Sequence, residues 1–173
     1  MTSRERVERV LAHREADRVP IDLGSTSVTG MHASTVYRLR QALGLDRPGT
    51  PVKVSECYQM LGETGPDLLD ALGADTVGVR PRGTRFGFPS DGWKEWRLFD
   101  GTPVLVPGLF NTAPDANGDI LQYPMGDASL APSGRMPNGG FYFDLIVRQP
   151  PIDEDRLDPA DNLEEFGPLS AAT

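Results

Sequence analysis

Apolar positions in the first eighty residues recur at helical spacing in three places. Thr2 followed by Glu5 has the form of a capping box, and Val7, Val10 and Leu11 then fall on one face, predicting an amphipathic helix to about His13. Ser34 can cap a second helix in which Val36, Leu39, Leu43 and Tyr37 share a face, closed by Gly44 and the Asp46-Arg47-Pro48-Gly49 turn. Pro66 suits the first turn of a third helix, with Leu68, Leu69 and Leu72 as its apolar stripe and Gly73 as its stop. Between these lie two β-rich runs. Residues 18–24 predict a first strand, with Pro20 near its start, and residues 75–80 a second. The order helix, strand, helix, helix, strand predicts an α/β fold in which the two strands run parallel, side by side, joined by helical crossovers.

After Pro81 the helical period disappears. Residues 93–99 and 103–106 flank Asp100-Gly101, a strong hairpin signal. Asn117-Gly118 precedes residues 119–123, and Asn138-Gly139-Gly140 precedes residues 141–144. This punctuation predicts an antiparallel β-meander. Trp93, Trp96 and the Phe141-Tyr142-Phe143 triplet read as its packing. From residue 150 the chain turns acidic, with seven acidic residues against Arg156 alone and Asp158-Pro159 as a helix-start signal. The chain thus reads as one domain in three stretches: 1–81 with the βα units, 82–149 with the meander, and 150–173.

Net charge is −8, but residues 1–149 hold 18 acidic against 16 basic side chains, so neither nucleic acid nor a membrane surface is an expected partner. No apolar run is long enough to span a bilayer, and the Arg/Glu-rich start lacks the apolar stretch of a secretory signal, which predicts a cytoplasmic protein. Cys57 has no partner for a disulfide or a Cys-x-x-Cys pair and reads as a small buried hydrophobe.

No complete catalytic constellation stands out, and the catalytic residues are not identified. Asp22, Ser25 and Thr26 follow the first strand, where parallel βα folds gather functional groups; the hydroxyls can bind an anion or simply cap a turn. His32, before the second helix, is a candidate base or ligand, or else a surface hydrogen-bonding group. His13 has a sufficient explanation at a helix C-terminus. Arg80, Arg82 and Arg85 can hold a carboxylate or phosphate, or be solvated loop charges. The run from Ser133 to Gly140, containing Arg135, lacks the spacing of a nucleotide-binding loop.

Several of these segments, in order, resemble the uroporphyrinogen decarboxylase superfamily, especially its methyltransferase-like branch. They are Ser3-Arg4-Glu5-Arg6-Val7, Asp17-Arg18-Val19-Pro20-Ile21-Asp22, Gly30-Met31-His32-Ala33, and Leu72-Gly73-Ala74-Asp75 leading into Val77-Gly78-Val79-Arg80-Pro81. Trp93-Lys94-Glu95-Trp96, Asp100-Gly101-Thr102-Pro103, Pro132-Ser133-Gly134-Arg135-Met136-Pro137 and Gly140-Phe141-Tyr142-Phe143-Asp144 extend the likeness. The resemblance implies a TIM-type (β/α)8 barrel. Such barrels take about 250 residues, so the chain is expected to be the N-terminal part of one, carrying the β-meander as an insertion.

True decarboxylases of the family carry an Arg-Gln-Ala-Gly-Arg run after the first strand. Here Leu23-Gly24-Ser25-Thr26-Ser27 stands instead. The resemblance therefore implies a corrinoid-linked methyltransferase acting on a small methylated substrate, with methylcobamide on a partner corrinoid protein. Many such members bind zinc through a His-x-Cys pair and a distant Cys in the later half of the barrel. This segment is expected to bind no cofactor itself and to be inactive alone. Substrate contacts are expected from Asp22, Ser25, Thr26, His32, Arg80 and Arg135. The alternatives are decarboxylation of uroporphyrinogen or another small acid, and a non-catalytic fragment that binds a partner.

Overall fold

The computed structural model of the chain describes residues 1–147 and Asp155; the acidic segment, with its Asp158-Pro159 signal, otherwise lies outside the described residues. Helix α1 (Ser3–Leu11) starts as its capping box dictates: the Thr2 hydroxyl accepts from the Glu5 N–H, and the Glu5 carboxylate accepts from the Thr2 N–H. Its anchor is not the expected apolar face. Val10 and Leu11 are exposed, and the buried residue is Arg6. The Arg6 guanidinium donates to both carboxylate oxygens of Asp17, at 2.7 and 2.9 Å, and to Asp75. Arg18 reaches the same Asp75 at 2.7 Å and the Gly73 carbonyl at 2.9 Å.

Asp75, its side chain fully buried, joins α1, residues 17–21 and the end of helix α3 (Pro66–Leu72), where Gly73 (φ 65°) stops the helix. Burial alone would raise its carboxyl, but the Ile21 N–H and hydrogen bonds from Ser3, Arg18 and Arg6 outweigh it and hold the group well below the usual carboxylate range. Arg6 likewise holds Asp17 low.

Here the expected barrel fails. Residues 18–24 and 75–80 do lie alongside in the same direction: the Asp75 N–H donates to the Ile21 carbonyl, the Thr76 hydroxyl to Asp22, and Gly78 lies against Ser25. A Cβ on Gly78 would stand 2.7 Å from the Ser25 carbonyl oxygen, so only glycine fits this approach. Among the described residues, though, that one backbone bond is the whole ladder. Neither segment is a strand, and Val19, Val77 and Val79 are exposed. The described residues form three helices and two small sheets, without the alternation of strand and helix that a (β/α)8 barrel requires.

The strands that do form lie elsewhere. Strand β1 (Val52–Glu56) pairs antiparallel with β2 (Leu61–Gly62) and parallel with β4 (Pro103–Val106), and β4 pairs antiparallel with β3 (Lys94–Arg97) across the Asp100-Gly101 turn. A second sheet holds β5 (Ile120–Gln122), β6 (Gly134–Met136) and β7 (Asp144–Leu145), all antiparallel. The expected single meander is thus split between two sheets, one of which also contains the parallel β1/β4 pair.

The core sits between helix α2 (Ala33–Ala42) and these sheets. Val52, Val54, Val104 and Val106 point inward at alternate positions and pack with Ala33 and Val36. Phe143 meets Phe110 and Phe86 edge-to-face, with centroids 5.8 and 5.5 Å apart, and so joins the second sheet to the first.

Phe110→Ala should cost about 3–5 kcal/mol in urea denaturation, because the ring is wholly buried at that junction. Asp75→Asn should lower the urea midpoint at neutral pH. A carboxyl held low when folded contributes stability above its ordinary pKa of about 4 and loses it as pH falls. The gap between wild type and Asp75→Asn should therefore close progressively below about pH 4; a gap independent of pH would contradict this origin.

Candidate functional site

The loop from Asp22 to His32 carries four of the expected site residues, and the hydrogen bonds show what each does. Asp22 accepts from the Ser25 N–H at 3.1 Å, the Thr29 hydroxyl at 3.1 Å and the Thr76 hydroxyl at 2.8 Å. Hydrogen bonding from Ser25 first, then from Thr76 and Thr29, holds its carboxyl below the ordinary range against the opposing effect of burial. Through these three bonds Asp22 organises the loop. Thr26 is exposed beside it, and Arg80 closes the loop by donating to the Gly24 carbonyl at 3.1 Å. Asp22, Ser25, Thr26 and Arg80 thus come together. Arg135 stands apart on β6, donating to Asp119 at 2.6 Å, and Asp119 also accepts from the Asn138 N–H.

His32, at the far end of the loop, caps α2 in place of the expected Ser34. Its Nδ1 accepts from the Ser34 N–H at 3.2 Å and lies 2.8 Å from the Ser34 hydroxyl; its Nε2 lies 2.8 Å from the Phe141 carbonyl oxygen. The ring also meets Phe141 edge-on, with centroids 5.6 Å apart. The segment around Phe141 is fixed a second time, because the Phe143 N–H donates to the Tyr58 carbonyl at 2.8 Å. Tyr58 belongs to the β1–β2 connection, where Met60 holds a left-handed backbone (φ 54°) and its carbonyl accepts from the Ala33 N–H.

Between α2, this connection and the segment before β7 lies a cleft of about 720 Å³. His32 and Arg38 line it from α2, Tyr58 and Leu61 from the β1–β2 region, and Phe141 and Tyr142 from the third side. A volume of this order suits a small molecule. Of these six only His32 was expected at a site; Arg38, Tyr58, Leu61, Phe141 and Tyr142 were not. The reading of residues 141–143 as packing holds for buried Phe143, whereas Phe141 and Tyr142 are 52% and 61% exposed. The neighbouring Cys57 is buried, and burial pushes its thiol well up, away from the reactive thiolate.

Among the described residues no three His, Cys, Asp or Glu side chains converge as a metal site requires, so this donor set does not fit zinc. No helix among them is long and apolar enough to cross a membrane. No family model, curated protein or solved structure matches the chain.

His32→Ala removes both the cap and the tether to Phe141, and should cost about 1–2 kcal/mol in urea denaturation. His32→Asn keeps a good cap and should recover part of that loss. Both variants should speed amide exchange at Phe143, and unchanged exchange there would contradict the tether.

Proposed function

We propose that this chain is part of a cytoplasmic enzyme similar to the uroporphyrinogen decarboxylase superfamily, of the corrinoid-linked methyltransferase kind, and that the His32 cleft receives its small methylated substrate. The observation that carries the reading is that Gly30-Met31-His32-Ala33, one of the runs behind the resemblance, leads into a rigidly braced wall of a ligand-sized cleft. The proposal does not rest on a barrel, which the described residues do not form. It rests on the ordered motifs and on this cleft.

A corrinoid carried by a partner protein would supply the methyl acceptor. What these residues contribute is binding and orientation. Holding a substrate's methyl group towards an incoming nucleophile converts a bimolecular encounter into a local one. The heteroatom keeps the electron pair of the broken bond as the methyl group leaves for the acceptor, and takes up a proton from solvent, to which the exposed Phe141 and Tyr142 walls leave the cleft open. His32 is a positioning residue here, because both ring nitrogens are engaged within the protein. No step is assigned to zinc.

The test is methyl transfer from a panel of methylated amines, thioethers and aryl methyl ethers to reduced free cobalamin, catalysed by the product of the reading frame that encodes this chain. The visible spectrum of the cobalamin reports the transfer. His32→Ala should raise KM about tenfold with a smaller change in kcat. Release of carbon dioxide from a porphyrinogen in place of methyl transfer would establish the decarboxylase alternative, and absence of any turnover would establish a non-catalytic role.

A further inference from the structure

We infer that the His32 cleft is built for an aromatic carboxylate, its ring against Tyr58, Phe141 and Tyr142 and its carboxylate on Arg38. This inference rests on the reading of the cleft as the substrate site and adds the chemical class.

The first observation is charge. Among the described residues, the lining of the cleft includes Arg38 and no acidic residue. Two neighbouring carboxylates are already engaged. Glu56 accepts from the Tyr58 and Gln59 N–H groups at 2.9 and 2.7 Å, and Asp100 accepts from the Thr102 N–H at 3.0 Å. Arg38 donates to Asp100 at 3.2 Å through one nitrogen, and its side chain is otherwise 72% exposed. A guanidinium has five N–H donors, so most of this fork remains available, anchored at one corner. Arg85 adds positive charge by lying over the Tyr58 ring, 4.7 Å from its centroid.

The second observation is the pair of adjacent exposed aromatics. Two neighbouring rings facing water are costly unless something covers them, and here the backbone that carries them is pinned by the His32–Phe141 and Tyr58–Phe143 bonds. Rigid aromatic walls bind a planar ring with little loss of conformational freedom. A cationic ligand is disfavoured by the two arginines. A bare phosphate would leave the aromatic walls unused.

The probe is 2-naphthoate, titrated into the protein and followed by naphthalene fluorescence, with 2-naphthamide as the neutral isostere. Naphthoate should bind saturably and about tenfold more tightly than the amide. Arg38→Met should weaken naphthoate about tenfold while leaving the amide unchanged. Tyr142→Ala should weaken both. Both positions are exposed, so thermal unfolding should stay at the wild-type midpoint, which confirms that the variants remain folded. Equal affinity for acid and amide, or naphthoate binding insensitive to Arg38→Met, would overturn the inference. Naphthoate binding with no methyl transfer would uphold this site and sink the proposed activity. Methyl transfer without naphthoate binding would do the reverse.

Discussion

Two backbone groups of fixed polarity meet on one imidazole. The Ser34 N–H can only donate and the Phe141 carbonyl can only accept, so His32 between them must accept at Nδ1 and donate from Nε2. That single ring therefore begins α2 and, 109 residues away in sequence, holds the segment that precedes β7. The cleft depends on it. Phe141 and Tyr142 leave more than half of their own surface exposed, and the packing of Phe143 alone does not dictate where the two exposed rings stand. A doubly engaged histidine turns the segment before β7 into a wall facing α2.

The rest of the molecule is pinned by arginines that each have acidic partners. Arg6 and Arg18 converge on Asp75 and fasten the N-terminal helix; Arg40 bridges Asp46 and Asp67, tying α2 to the start of α3; Arg135 is held by Asp119. Arg38 has one carboxylate contact, which occupies a corner of its fork and leaves the remainder beside the aromatic rings of the cleft. These ion pairs shape the fold, and the open part of the Arg38 fork gives the cleft its sign.

Local signals in the sequence were legible where a few neighbouring residues decide the outcome. Thr2 with Glu5, Pro66, Gly73 and Asp100-Gly101 each produce the start, stop or turn that their chemistry dictates. Pairing across long distances was not legible. Residues 18–24 and 75–80 have strand composition, yet strand propensity expresses the presence of neighbours, and here one backbone bond joins them. Conversely, the short alternation Val52-Lys53-Val54 drew no strand assignment, although it becomes the centre of a sheet once β4, some fifty residues later, lies beside it. The site divides in the same way. Asp22, Ser25, Thr26 and Arg80 are close in space because one loop and its neighbour bring them together, whereas Arg135 serves Asp119. Arg38, Tyr58 and Tyr142 come from three separate stretches of chain, and no spacing rule links them. An available signal was the Phe141-Tyr142-Phe143 triplet, since successive residues of an extended segment alternate sides and cannot all turn into one core.

The protonation pattern of the His32 ring tests this account most directly. Long-range proton–nitrogen correlation spectra of the protein at mildly alkaline pH report the two ring nitrogens separately. A single locked tautomer is expected, with the proton on Nε2 and a bare, hydrogen-bond-accepting Nδ1. A proton on Nδ1, or two nitrogens averaged by rapid exchange, would mean that His32 does not join Ser34 to Phe141 and that the cleft lacks the wall on which the functional reading depends.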